Sequence, residues 1–374
     1  MTSGYASIPA GVQLEARIQR LLFNQGYFAA RNVFLPGHYQ ARGASTPDID
    51  VLGYNFSQDF VPTRVIYDCK SGRSTAVVNR ILWLQTLARR VNANRVYMVR
   101  RDTQKDIKYY GLAEGVHFID FATLDEFEQN HIDSTIKGST NTEYLTAYDE
   151  LHRPTKSPDI VHALTTVHTN FWFLPSISAV KQVITQYERI GVINTLPGLS
   201  PRSLQWLKAT LITLFVLGIL RICSETISLS QAEREEILKQ RLVSDRIPYQ
   251  EFTSLVRTSF EYAYTIYGKP QGLPMGEHYQ IPPPKYSDSL LDLITRALKH
   301  PKEAVIMPLF SECLLFEYTL PQKTVDTHAI ELIFARSYDH LLSHYRDYIF
   351  FLSTICPNIK DFLRPLFPNQ STST

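Results

Sequence analysis

The sequence predicts an α/β domain followed by a longer, mostly α-helical domain. Three observations carry that reading. Helix-like and strand-like apolar patterns alternate through residue 120 in the order α-β-β-β-α-β-α-β. Composition shifts at about Asp133, and Ser134 to Pro158 is rich in Ser, Thr, Asn, Lys and Pro. Beyond that stretch almost every segment repeats its apolar residues at helical spacing. The expected division is residues 1–133 for the α/β domain, 134–158 for a linker, 159–367 for the helical domain and 368–374 for a polar, disordered tail.

Residues 1–10 read as a loose leader. A helix follows from Gly11 to Gln25: Leu14, Ile18, Leu21 and Leu22 recur on one face, and Gly26 stops it. Glu15 lies beside that stripe. Tyr27 to Leu35 reads as a strand ended by Pro36-Gly37, then His38 to Ser45 as a polar loop. Two strands come next, within Thr46 to Arg73. The helix after them, Thr75 to Val91, has Val78, Ile81, Leu82 and Ala88 on one face and the amide of Gln85 among them, which needs a partner. Arg95 to Arg100 is a strand, Thr103 to Leu112 a charged helix and Gly115 to Asp120 a short last strand. Further helices are expected at Ile160–Leu174, Ala179–Ile193, Ser203–Cys223, Gln231–Val243, Tyr249–Tyr267, Ser287–Lys299, Ala304–Tyr318 and Ala329–Ile355. Ser230 and Glu233 fit a capping box. Five prolines and three glycines make Gly268 to Lys285 a long loop.

With 374 residues, 44% of them hydrophobic and 20% charged, the chain can bury a sizeable core, which excludes global disorder. The net charge of +2 is unevenly spread. Residues 1–110 hold 15 Lys/Arg against 7 Asp/Glu, so that part carries +8 and the remainder −6. A basic region that also concentrates carboxylates in one motif suits a polyanion held with a metal. Cys69, Cys223, Cys313 and Cys356 are too far apart for a zinc ribbon or a disulfide framework. No charged start followed by an apolar run marks a signal peptide. Ala209 to Leu220, between Lys208 and Arg221, is too short to span a bilayer and reads as a buried helix. A cytoplasmic protein with no membrane partner is the expectation.

The chemistry concentrates in Thr46 to Arg73. Thr-Pro-Asp-Ile-Asp-Val-Leu-Gly-Tyr and Arg-Val-Ile-Tyr-Asp-Cys-Lys-Ser-Gly-Arg read as adjacent hairpin strands. Alternation puts Asp68 and Lys70 on one face, and Asp48 and Asp50 likewise share a face. Carboxylates beside a lysine make poor core and a good divalent-metal site.

Glu15 on a first helix, then Pro-Asp-Ile-Asp-Val-Leu-Gly, then Asp-Cys-Lys-Ser-Gly, resembles the PD-(D/E)XK nucleases, which include restriction enzymes, RecB-type domains and Holliday-junction resolvases. The likeness covers about residues 11–120. It implies a restriction-endonuclease-like mixed sheet flanked by helices. Asp50 corresponds to the second acidic position, Asp68 and Lys70 to the acid-x-lysine pair, and Glu15 to the first-helix glutamate. Asp48 is a less certain neighbour, and Gln85 is similar to a glutamine found in some branches. Several Mrr- and RecB-type members carry Glu where this chain has Asp68.

What the resemblance implies is a Mg²⁺- or Mn²⁺-dependent endonuclease, with DNA the expected substrate. Asp50, Asp68, Glu15 and the carbonyl of Cys69 would hold one or two ions. Lys70 would orient or help deprotonate the attacking water, or stabilise charge on the phosphate. Gln85 would bind that water or a phosphate, and Arg42, Arg73 and Arg80 would contact phosphates. Alternatives are an RNA-cleaving enzyme and a non-catalytic module that grips nucleic acid or protein. The helical domain is expected to serve oligomerisation, partner binding or substrate gating. A bare nuclease joined to such a domain resembles effectors of prokaryotic restriction or anti-phage defence, working with an ATPase or another defence protein. His340 and His344, four apart on a helix, and the aromatics Trp83, Phe171, Trp172 and Phe173 are read as packing or surface residues.

Overall fold

The computed structural model describes residues 8–36, 48–71, 76–131, 136–153, 157–268, 281–363 and 366. Five strands lie side by side in sequence order: β1 Phe28–Phe34, β2 Asp48–Phe56, β3 Pro62–Lys70, β4 Arg95–Arg100 and β5 Val116–Asp120. The first three form an antiparallel meander. The pairs β3–β4 and β4–β5 are parallel, because helices α2 (Val77–Val91) and α3 (Lys105–Ala113) carry the chain back between them. A mixed sheet with flanking helices and a mostly helical remainder is thus what the chain forms.

Helix α1, Ala10–Asn24, packs Leu14, Ile18, Leu21 and Leu22 against one face of the sheet, with Val51, Val65, Tyr67 and Val99. Gly53 allows that approach: a Cβ there would sit 2.7 Å from Val65 Cγ2 and 3.1 Å from Leu22 Cδ1. A further helix on this side, α4 (Phe121–His131), had no expectation attached to it. The opposite face holds Ile66, Val96 and Met98 against α2. The buried stripe of α2 is Val77, Ile81, Leu84, Leu87 and Val91. Val78 and Leu82, expected inside, are nearly half exposed, because the helix turns its Val77, Ile81 and Leu84 face to the sheet.

The remainder comprises α5 Thr142–His152, α6 Pro158–Thr165, α7 Phe171–Phe173, α8 Ser176–Gly191, α9 Pro201–Thr226, α10 Gln231–Val243, α11 Tyr249–Tyr267, α12 Ser287–Lys299, α13 Pro301–Ala304, α14 Met307–Cys313, α15 Thr327–Phe334, α16 Tyr338–Ile355 and α17 Ile359–Leu363. Single π-helical turns, Thr166–Asn170 and Leu314–Thr319, join α6 to α7 and extend α14. The capping box at Ser230 and Glu233 is formed.

Two expectations are corrected. The presumed linker contains α5, capped by the Asn141 side chain and burying Tyr144, Leu145, Tyr148 and Leu151. Its polar residues face outward while every third or fourth position is apolar, so composition alone hid an amphipathic helix. The single helix expected over Ala329–Ile355 is two: Ala335 takes a left-handed φ of 50°, and Ser337 then caps α16 by accepting from the His340 N–H. Most of the proline-rich loop (269–280) and the tail at 368–374 lie outside the described residues.

One apolar core runs from the α2 face of the sheet into the helices. Trp172 stacks on Phe28, with ring centroids 6.5 Å apart, and meets Tyr54 at 5.9 Å. At the centre of the helical part lies α9. By length and composition it could cross a membrane, yet 83% of its most apolar window is buried inside the protein. All four cysteines are buried free thiols.

Candidate active site

The site sits where β2 and β3 stop pairing. Their ladder ends at Val51 and Tyr67. Past that point the Cys69 N–H donates to Asp50 Oδ2 at 2.5 Å, so a carboxylate replaces a backbone carbonyl between the strands. Alternation then divides β3. Val65, Tyr67 and Cys69 bury with α1, while Asp68 and Lys70 face the α2 side.

Lys70 joins the two acids. Its Nζ lies 3.0 Å from Asp50 Oδ2 and 3.1 Å from Asp68 Oδ1. Arg80, one turn into α2, also donates to Asp68 Oδ1, through Nε at 3.0 Å and Nη2 at 2.5 Å. Its guanidinium lies 3.8 Å above the Trp83 ring. Asp68 Oδ1 is therefore crowded with donors, whereas its Oδ2 is buried and has no partner among the described residues. An orphaned carboxylate oxygen beside a second buried carboxylate is a donor set that fits a hard divalent cation.

The electrostatics agree with that fit. Glu15 is pushed up to about 7, first by burial and then by the charge of Asp50. Asp50 is pushed up to about 6, by burial and then by Asp68. Burial likewise raises Asp48. Burial alone would lower Lys70, but Asp50 and Asp68 outweigh it and keep the ammonium more firmly protonated than usual. Four carboxylates thus share a volume that Lys70, Arg80 and the buried Arg31 beside Glu15 only partly neutralise.

The mate of Asp50 on β1 is Asn32. Pairing of β1 with β2 runs from Phe28–Tyr54 to Phe34–Asp48 but omits Asn32–Asp50, because Asn32 adopts φ 52°. Its amide donates to Tyr148 Oη at 2.7 Å and reaches Glu15 Oε2 at 3.4 Å, and its carbonyl meets His168 Nδ1 at 2.9 Å. Asparagine tolerates this conformation better than other non-glycine residues. Tyr148 belongs to α5 and His168 to the turn after α6, so helical elements hold the strand opposite the acids.

The structure therefore brings together Glu15, Asp50, Asp68, Cys69 and Lys70, with Asp48 at the edge. Two expected residues play other parts. Gln85 donates to the Glu114 carbonyl at 2.7 Å and to Glu114 Oε2 at 2.6 Å, tying α2 to the turn before β5 and not to the acids. Arg80 binds Asp68 itself and is not held out for a phosphate. Arg42 and Arg73 lie outside the described residues. Asn32 and Tyr148, and the pairing of Arg80 with Asp68, are features of the site that the sequence pattern does not show. The one available signal was Arg31-Asn32, a polar pair interrupting an apolar strand. Beside Lys70 opens a cleft of 350 Å³ lined in part by Asn79, Arg80, Trp83 and Arg100. Comparison with protein-family models, with curated proteins and with solved structures yields no match.

Proposed function

We propose that this protein is a metal-dependent phosphodiesterase of the PD-(D/E)XK type, acting on DNA. The observation that carries the reading is the meeting of Asp50, Asp68 and Lys70 within 3.0–3.1 Å at the end of a β2–β3 pairing. The order of helices and strands through β5 is compatible with the restriction-endonuclease-like fold. Asp50, Asp68, Glu15 and the Cys69 carbonyl would hold the Mg²⁺ or Mn²⁺, which supplies Lewis-acid polarisation of the phosphate and acidifies the attacking water. Lys70, its ammonium held between two carboxylates, would act as an electrostatic stabiliser of the phosphate or orient and help deprotonate the attacking water. Glu15, pushed up to about 7 in the metal-free site by burial and the charge of Asp50, would give up its proton on ligating the ion. The cleft beside Lys70, with Asn79, Trp83 and Arg100 on its walls, suits a sugar-phosphate strand. A cytoplasmic effector of defence against foreign nucleic acid, working with a partner ATPase or another defence protein, is the setting this architecture resembles.

The test is cleavage of plasmid, single-stranded DNA and labelled RNA with Mg²⁺ or Mn²⁺, comparing the native chain with Lys70→Ala and Asp50→Ala. Loss of about 10²-fold or more in both variants is expected. Preferential cutting of the RNA arm would change the substrate. One observation favours a second reading, a non-catalytic gripping module: Arg80 already doubly occupies Asp68 Oδ1. Equal, contaminant-level nicking by all three chains, with nucleic-acid binding intact, would select it.

A further inference from the structure

A second cluster lies in the helical region, built from residues far apart in sequence. His300 ends α12, Glu303 lies in α13, and His340 and His344 stand one turn apart on α16. One ligand atom each of His300, Glu303 and His344 lie within 4.8 Å of one another. His340 Nε2 is 3.2 Å from Glu303 Oε1. The His344 ring centroid is 4.8 Å from that of His300 and 4.9 Å from that of His340. Three imidazoles gathered round one carboxylate gain little from hydrophobic burial, and they repel one another when protonated.

We propose that His300, Glu303 and His344 form a binding site for a divalent transition-metal ion, best suited to zinc. The ligand types decide the class: imidazole nitrogens with one carboxylate favour zinc and its first-row neighbours, whereas magnesium takes an all-oxygen shell. Zinc bonds of about 2.0–2.1 Å at tetrahedral angles set ligand atoms about 3.3 Å apart. Closing the observed spacing takes small rotations of partly exposed side chains. His340 donates to the Glu303 carboxylate and fixes its orientation, the part an outer partner plays at a metal centre. Water completes the fourth position. The ion joins the α12–α13 corner to α16 and acts as a clamp between helices that already pack together.

The experiment uses the full chain without a histidine tag, stripped with EDTA and titrated with Zn²⁺ against a chromophoric chelator in excess Mg²⁺. One zinc per chain and a raised melting temperature are expected. Co²⁺ should give the visible absorption of a low-coordinate nitrogen–oxygen site. The double variant His300→Ala/His344→Ala should lose stoichiometric binding, and His340→Ala should weaken it about tenfold. Both should melt like the native chain in EDTA, which separates lost binding from misfolding. Asp50→Asn/Asp68→Asn must keep the zinc. Absence of stoichiometric zinc in the native chain, its retention in the double histidine variant, or its loss from the β2–β3 variant would each overturn the assignment.

Discussion

The end of the β2–β3 pairing and helix α9 are both buried, and they are buried for opposite reasons. Along α9, Leu211, Phe215, Leu217 and Ile219 are fully inside and touch other apolar groups, and Phe215 stacks on Phe351 at 5.1 Å. At the end of the pairing, Asp50 and Asp68 are 6% and 2% exposed and lie beside each other. Burial in α9 stabilises the fold at about 25 cal/mol per Å² of apolar surface. Burial of Asp50 costs free energy, as its upward displacement records. A chain keeps a costly arrangement where something outside the apo protein offsets it, and the cation of the proposed function would do so.

The comparison breaks most decisively at the acids. Asp50→Asn should abolish cleavage, by about 10²-fold or more, while raising the melting temperature of the metal-free protein at pH 8. Activity kinetics beside calorimetry check both halves, and a destabilised variant would erase the contrast. Phe215→Ala should do the reverse, costing about 3–5 kcal/mol in urea titration with the site chemistry intact in the folded fraction.

A smaller effect sharpens the contrast through pH. Glu15 and Asp50 hold protons in the folded state at about 7 and about 6, above the ordinary 4.5 and 3.8. Between those ordinary and folded values the native state binds more protons than the unfolded one. Apo stability should therefore fall as pH rises from about 4 to about 7 and then level off. Mg²⁺ should raise the melting temperature at pH 8 and hardly at pH 5, and Asp50→Asn should flatten the profile. Smallest is the coupling between regions. Asn32→Ala should cost about 1–2 kcal/mol from its left-handed backbone, plus its side-chain hydrogen bonds. Asn32→Gly should recover the backbone part only, and a double-mutant cycle with Tyr148→Phe would show non-additivity.

Legibility followed the same division. Strong periodicity made α9, α10, α11 and α12 readable, three of them to the residue. The Asp-x-Lys spacing made the acids readable, because strand alternation forces Asp68 and Lys70 onto one face. The α5 helix stayed hidden under a polar composition. Gln85 meets Glu114 and not the acids because the buried stripe of α2 runs through Val77, Ile81 and Leu84 and not through Val78 and Leu82, and a step of one residue on a helix redirects a side chain by about 100°. Arg80 could not be distinguished from the other surface arginines of its segment.

Local pattern alone determined the five strands, most of the helices and which residues carry charge on a common face, since those depend on neighbours a few positions away. Only the folded chain decided that Asp50 caps Cys69, that Arg80 occupies Asp68, that Asn32 answers to Tyr148 and His168, and that His300 meets His344. Those meetings join residues 12 to 136 positions apart, and no local preference encodes a distance that packing of the sheet and helices sets.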